Sequence, residues 1–225
     1  MQLNLSKVLS FNAGYVDTAS FLAIHGLFAA HVTGNFVTLG AALVSSNHAG
    51  AWAKLAALPM FCVVVLLTRL LHSRFERAHK LSYRFLLLSM LALFAVAAVL
   101  SLIYLPFPAT DTWPSFIVGM LLVAAMAIQN AMHRMHWAKE SPTTVMTGST
   151  TQLMLDLADS LTGNGNVDKA AIKARIKNNF PNMLGFALGC AIAALVYHYA
   201  LWLIFIVPVA LMGLAYGIRE RYKKV

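Results

Sequence analysis

Asp17 is the residue of this chain most suited to chemistry. Of the eight Asp and Glu, it alone lies deep inside a full apolar run. A charge at the centre of a bilayer costs about 2.5–3.5 kcal/mol on insertion scales. No Lys or Arg sits at the centre of an apolar run to neutralise it. Such a carboxyl must stay protonated, face a polar cavity, or meet a cation from elsewhere. Two roles fit: a proton- or cation-linked site, or a protonated acid bonded to a neighbouring helix. Asn12, Thr18 and Ser20 lie close to it in sequence.

A short phrase occurs once in each half of the chain. The first copy is His31-Val32-Thr33-Gly34-Asn35, and the second is Val145-Met146-Thr147-Gly148-Ser149. Aligned on Thr-Gly, the copies also match Leu39 with Leu153, Leu43 with Leu157 and Ser46 with Ser160. Glycine permits a sharp backbone change or a close approach. A helix starting after each Gly would present free N–H groups and the positive end of its dipole. Two such ends facing each other would favour an anion or a carbonyl-rich solute. The apolar segments that follow, Phe36–Val44 and Thr150–Ala158, are too short to span a bilayer. They suit re-entrant half-helices, or equally interfacial helices with Thr-Gly as turn and cap.

Gln129, His133 and His136 share one helical face by their spacing. Gln129 and Asn130 stand near the position that matches Asp17 in the other half. They could line a wall opposite that acid. The two histidines read more simply as an interfacial helix end, because Arg134 and Trp137 adjoin them.

The elements that must position these residues are membrane helices. The chain has 225 residues, of which 60% are hydrophobic and 11% charged. Its mean hydropathy is +0.71. Long uncharged runs define an all-α polytopic membrane bundle, since only helices or closed barrels satisfy their backbone in lipid. Six spans are expected, at about Val8–Ala30, Ala51–Leu71, Phe85–Pro106, Pro114–Met135, Phe180–Tyr197 and Leu201–Gly217. They form one transmembrane domain over residues 1–225, without a cleaved signal peptide, because Asn12 and Asp17 interrupt the first apolar run. Sixteen of the seventeen Lys and Arg then fall on one side, and only Lys54 lies opposite, near a span end where it can snorkel. The positive-inside rule puts both termini in the cytoplasm. Trp52, Tyr104, Trp113 and Trp202 would ring the outer interface.

Three spans per half is an odd number, so the second half enters from the opposite side. The expected layout is two inverted three-helix repeats, about 8–106 and 114–217, as in many secondary transporters. Between the fourth and fifth spans, Thr162-Gly163-Asn164-Gly165-Asn166 reads as a turn. Val167–Asn178 follows as a separate basic helix, either on the membrane face or in solvent, with Lys169, Lys173, Arg175 and Lys177. Asp156 and Asp159 are expected to face the cytoplasm. Gly185 and Gly189 form a G-x-x-x-G pair for close packing, within the bundle or between copies in a homo-oligomer.

Catalytic patterns are poor and there is no paired Cys/His metal spacing. Cys62 and Cys190 lie in apolar runs as packing residues, and two His without a placed third ligand make a weak metal site. There is no H-E-x-x-H and no G-x-S-x-G. No cofactor is expected, no enzymatic activity, and no nucleic-acid partner. The expected partners are the lipid bilayer and a small-molecule or ion substrate.

The run Gly14-Tyr15-Val16-Asp17 through Phe21, with His31-Val32-Thr33-Gly34-Asn35, resembles the YoaK-like family of small bacterial membrane proteins. So does Gln129-Asn130-Ala131 followed by Thr143-Thr144-Val145-Met146-Thr147-Gly148. The resemblance spans nearly the whole chain and implies a bacterial inner-membrane protein of about six helices. The family carries a domain-of-unknown-function label, so the resemblance implies no substrate. The expected function is a small-solute secondary transporter or channel. Asp17 would be its proton or cation switch, with Thr33, Gly34, Asn35, Thr147 and Gly148 shaping ligand contacts and Gln129 and Asn130 opposite. The alternative is a non-transporting membrane sensor or assembly factor that uses the basic face.

Overall fold

The computed structural model describes residues 3–44, 49–77, 82–137, 141–144, 147–162 and 169–222. Val145, Met146, Lys80, Lys139, Lys223 and Lys224 lie outside the described residues, as does the turn-rich Gly163-Asn164-Gly165-Asn166. The described residues form eight α-helices and one short 3-10 turn, with no strand. The helices are α1 (Leu3–Ala23), α2 (Gly34–Ala42), α3 (Ala51–Arg77), α4 (Ser82–Tyr104), α5 (Trp113–His136), α6 (Thr147–Thr162), α7 (Lys169–Tyr199) and α8 (Ile206–Tyr222).

Among the described residues, five stretches are long and apolar enough to cross a membrane: α3, α4, α5, α7, and Leu201–Ile218, which contains the 3-10 turn and most of α8. The expected first span, Val8–Ala30, is different in the structure. Its helix ends at Ala23, and the chain turns back through His25 (φ 48°) and Gly26 (φ 85°). α1 falls short in apolarity because of Ser6, Lys7, Ser10, Asn12, Asp17, Thr18 and Ser20. It tolerates those residues because the bundle surrounds it. Leu9, Ser10, Asn12, Ala13, Tyr15, Val16, Ala19 and Ser20 are all fully buried. Helices that face lipid must be apolar on the outside, whereas a helix wrapped by protein need not be.

α1 and α7 share the largest helix–helix interface among the described residues, and they run parallel. Asn182 donates to Ser6 Oγ (2.8 Å) towards one end, and Cys190 Sγ approaches the Gly14 carbonyl (3.4 Å) towards the other. A Cβ at Gly14 would overlap the Phe186 carbonyl oxygen, and one at Gly189 would overlap the Phe11 carbonyl oxygen. The G-x-x-x-G pair is therefore used inside the bundle, where missing side chains let two backbones touch.

The other helices pack in matching fashion. α5 lies against α3, again in parallel: Gly119 faces Ala53 near their starts, and the rings of His72 and His136 meet 4.9 Å apart near their ends. α4 packs on α5 and α8 packs on α1. α2 rests on α3 and α6 rests on α7. α1 crosses α5 antiparallel, with Gly119 beside Leu27 and Ile24 and Gln129 bonded to Leu9 and Asn12. Phe94, Phe205, Met126, Met132, Leu122 and Leu87 fill the core between them.

Three further expectations change. The basic segment is no separate helix: from Lys169 it continues into the fifth span as one helix of 31 residues, despite Pro181. The packed α6 and an ion pair at Arg175 hold that extension in place. Asp156, expected to face the cytoplasm, is not exposed. It is fully buried under Arg175, whose guanidinium donates to both carboxylate oxygens (2.7–3.2 Å). Asp159 is exposed. Lys54 does not snorkel outward. It is buried, with Nζ 3.4 Å from the Ala49 carbonyl oxygen.

The Asp156 pair carries a pH prediction. Hydrogen bonds from Arg175 hold the Asp156 carboxyl below its usual range, Gln152 and the Arg175 charge act in the same direction, and burial opposes them. The folded value is thus depressed, so the contribution is present above the unfolded value and lost as pH falls through the folded one. Amide exchange in α6 should stay slow from neutral pH to about pH 5 and accelerate below about pH 4, the ordinary carboxylate range. Arg175→Gln should give fast α6 exchange already at neutral pH. An α6 indifferent to both acid and that substitution would show that the pair does not hold it.

Candidate functional site

Asp17 sits six residues before the end of α1 at Ala23. At about 1.5 Å of rise per residue, that is about 9 Å below the helix end. The chain passes over the turn at His25-Gly26 and descends beside α1 to the same depth. There Asp17 Oδ1 accepts from the backbone N–H of Ala30 (2.7 Å) and of His31 (3.2 Å). Oδ2 lies 2.7 Å from His31 Nδ1. The acid is 5% exposed. Its hydrogen-bond partners among the described residues are backbone N–H groups and an imidazole, with no Lys or Arg. The His31 ring stacks edge-on against Phe186 of α7, at 5.4 Å between centroids.

At the bottom of this loop α2 begins at Gly34 and climbs back. Asn35 is buried and clamps the loop to itself: its Oδ1 accepts from Phe28 N–H and its Nδ2 donates to Phe28 O, both at 2.8 Å. This two-way bond sets the distance between the descending strand of chain and the new helix. Thr33 occupies the cap position without a side-chain cap bond, and it is exposed.

The second half repeats the device with different residues. Asn130 also lies six residues before the end of its helix, α5, at His136. Its Oδ1 accepts from Thr144 Oγ1 (2.9 Å), fourteen residues on, the same separation as Asp17 to His31. Its neighbour Gln129 is fully buried. Gln129 Nε2 donates to Leu9 O (3.0 Å) and to Thr143 Oγ1 (3.3 Å), and its Oε1 accepts from Asn12 (3.4 Å). Because α1 and α5 are antiparallel, the two pinned loops reach in from opposite ends of the bundle.

The expected site residues therefore divide. Asp17 and Asn35 hold the first loop, while Gln129 and Asn130 hold the second. Thr147 and Gly148 are exposed at the start of α6, and nothing lies within 4 Å of where a Gly148 Cβ would be. The side-chain bonds of Asp17 and of Gln129 go to different loops, separated along α1 by the turns between Asn12 and Asp17. His133 is buried, while His136 is exposed and meets His72. A cleft of about 730 Å³ lies elsewhere, lined by Trp52, Asp111, Thr112, Trp113, Pro114 and Phe116. Asp111 closes its edge by accepting from Gly50 N–H (2.5 Å).

The reading of the sequence alone missed His31, Thr143 and Thr144 as partners. The available signal was the equal spacing: a polar residue near a helix end, with a hydrogen-bonding residue fourteen positions later in each half. Among the described residues no group of three His, Cys, Asp or Glu could hold a metal.

A bundle of long apolar helices around a buried polar helix is a multi-pass membrane protein. The chain belongs to the family described as "Protein of unknown function (DUF1275)", which matches residues 5–218. It is similar to the UPF0700 transmembrane protein YoaK of Bacillus subtilis (strain 168), 28% identical over 217 residues, covering 92% of this chain and 89% of that protein. No solved structure matches the chain.

Proposed function

We propose that this protein is a small-solute secondary transporter or channel of the bacterial inner membrane, linked to a proton or cation at Asp17. The observation that carries this reading is the buried Asp17 carboxylate holding the tip of a loop that folds back into the bundle. Non-helical backbone at membrane depth is tolerated where it is buried in protein or lines a cavity, and in transporters it lies at the substrate path. The reading takes α1 as a sixth span and the halves as inverted repeats. Helix packing supports this: exchanging α1 with α5, α2 with α6, α3 with α7 and α4 with α8 maps each major packed pair between long elements onto another. The basic residues favour cytoplasmic termini. The protein is not proposed as an enzyme.

Osmotic swelling of proteoliposomes tests it, using glycerol, urea and small monocarboxylates, with and without an imposed pH gradient. At least one solute should enter faster than in empty liposomes. Asp17→Asn should cut that rate about tenfold, equivalent to about 1.4 kcal/mol of barrier. Equal rates with and without protein for every solute would remove the transport reading. A non-transporting sensor or assembly factor would then be favoured by the exposed Lys169, Lys173 and Lys177 at the start of α7.

A further inference from the structure

We propose that the ion served by this site is the proton, carried by the His31–Asp17 pair, and that proton loading locks the first re-entrant loop while the second loop has no such control. The proposal rests on the transport reading for its purpose, but the lock can be observed without any solute.

The chemistry around Asp17 discriminates against a metal cation. Sodium, calcium or magnesium needs several oxygen ligands around it. Asp17 is instead faced by N–H groups: Ala30 and His31 backbone on Oδ1, and the His31 imidazole nitrogen on Oδ2. These present positive ends of dipoles to the carboxylate. They favour an anion there and repel an added cation. A proton needs no such shell, because it can reside on the imidazole.

The two members differ in access. The His31 side chain is 32% exposed, whereas that of Asp17 is 6% exposed. The imidazole thus connects a reachable surface to a buried acid. With a proton on each ring nitrogen, His31 is a cation donating through Nδ1 to the carboxylate, and the pair is neutral overall. Loss of the Nε2 proton leaves neutral imidazole and a net negative charge at depth, held by N–H dipoles without a counter-charge on the ring. Breaking the balance of a buried pair is costly, and the structure relieves that cost by admitting water. The loop bonded to Asp17 then loosens.

The other titratable groups described near this loop are His25 at its turn, Lys54 of α3, whose ammonium lies beside Gly26, and Asp111, which accepts from Gly50 N–H next to His25. Cys190 of α7 is in the electrostatic reach of Asp17, and Tyr15 is on α1 itself. The hydrogen bonds described to the Asp17 carboxylate come from Ala30 and His31, not from these groups. Among the described residues, the bonds that pin the second loop come from carboxamides and hydroxyls, Gln129 to Thr143, Asn130 to Thr144 and Asn182 to the Ser141 carbonyl, which do not titrate. The asymmetry lies in the loop bonds: those described for the first loop include a titrating pair, and those described for the second do not.

Hydrogen–deuterium exchange of the full-length protein in nanodiscs tests this, with rates corrected for the chemical effect of pH. Between about pH 8 and about pH 5, the range in which histidine switches act, the amides of Ala30 and His31 should become about tenfold better protected. The segment holding Thr143 and Thr144 should not change. Sodium chloride added at the higher pH should not restore protection. His31→Gln should flatten the pH response while keeping the fold, and Asp17→Asn, whose carboxamide oxygen can still accept from both amides, should give protection that no longer changes between the two pH values. Protection that is constant with pH in the wild type, that survives in its pH profile in His31→Gln, or that is restored by sodium overturns the proposal. A pH response without solute flux would retain the lock and remove the transport reading; flux without a pH response would do the reverse.

Discussion

Gly14→Val should be the most damaging single substitution in this protein, with Gly189→Val close behind. The obstacle at each position is a backbone carbonyl, of Phe186 and of Phe11 respectively, and not a side chain that can rotate away. Overpacking a side-chain core already costs about 1–3 kcal/mol. Here the whole of α7 would have to move off α1, separating the largest interface in the bundle. The expected result in detergent is loss of the monodisperse species and of the cooperative melt. Gly213→Ala is the control, because no atom lies within 4 Å of its Cβ position. Replacing a mid-helix glycine there should stabilise by about 0.5–1 kcal/mol. If Gly14→Val melts like the wild type, the close crossing of α1 and α7 is wrong.

Asp17→Ala should destabilise by about 2–4 kcal/mol, because it removes the carboxylate oxygen that accepts from the backbone N–H groups of Ala30 and His31. A thermal or denaturant melt measures this directly. Asp17→Asn should cost much less, since its carboxamide oxygen can still accept from Ala30 and His31. The two variants therefore separate structure from chemistry. Alanine tests whether Asp17 holds the loop, and asparagine tests whether its charge matters. An alanine variant as stable as the wild type would mean that the descending chain is held by Asn35 and by packing alone.

Much of the architecture was readable from residue order. Apolar runs locate α3, α4 and α5 to within a few residues, because lipid imposes a uniform demand on length and composition. The Thr-Gly phrases mark the starts of α2 and α6, where glycine and small polar residues suit a helix beginning. Asp17 stands out because an acid among apolar residues needs a reason.

Other features were not readable. The end of α1 at Ala23 depends on the pull of Asp17 on a loop thirteen and fourteen residues away, which a local apolar average does not register. The expected fifth span begins at Phe180, after a separate basic helix over Val167–Asn178. The helix instead runs on from Lys169, because α6 packs against its beginning. Asp156 looked like a solvent-facing acid until Arg175, nineteen residues later, covered it.

By itself, the order of residues determined a membrane-embedded helical protein, a lone acid within its first apolar stretch and a recurrent phrase in each half. These follow from composition and short-range pattern, where each residue's solvent preference acts alone. Tertiary structure decided what that acid holds, which glycines become contacts between backbones, and that both loops are pinned at equal depth from opposite ends. Those outcomes arise from directional bonds and steric fit between residues far apart in the chain, and no local preference encodes them.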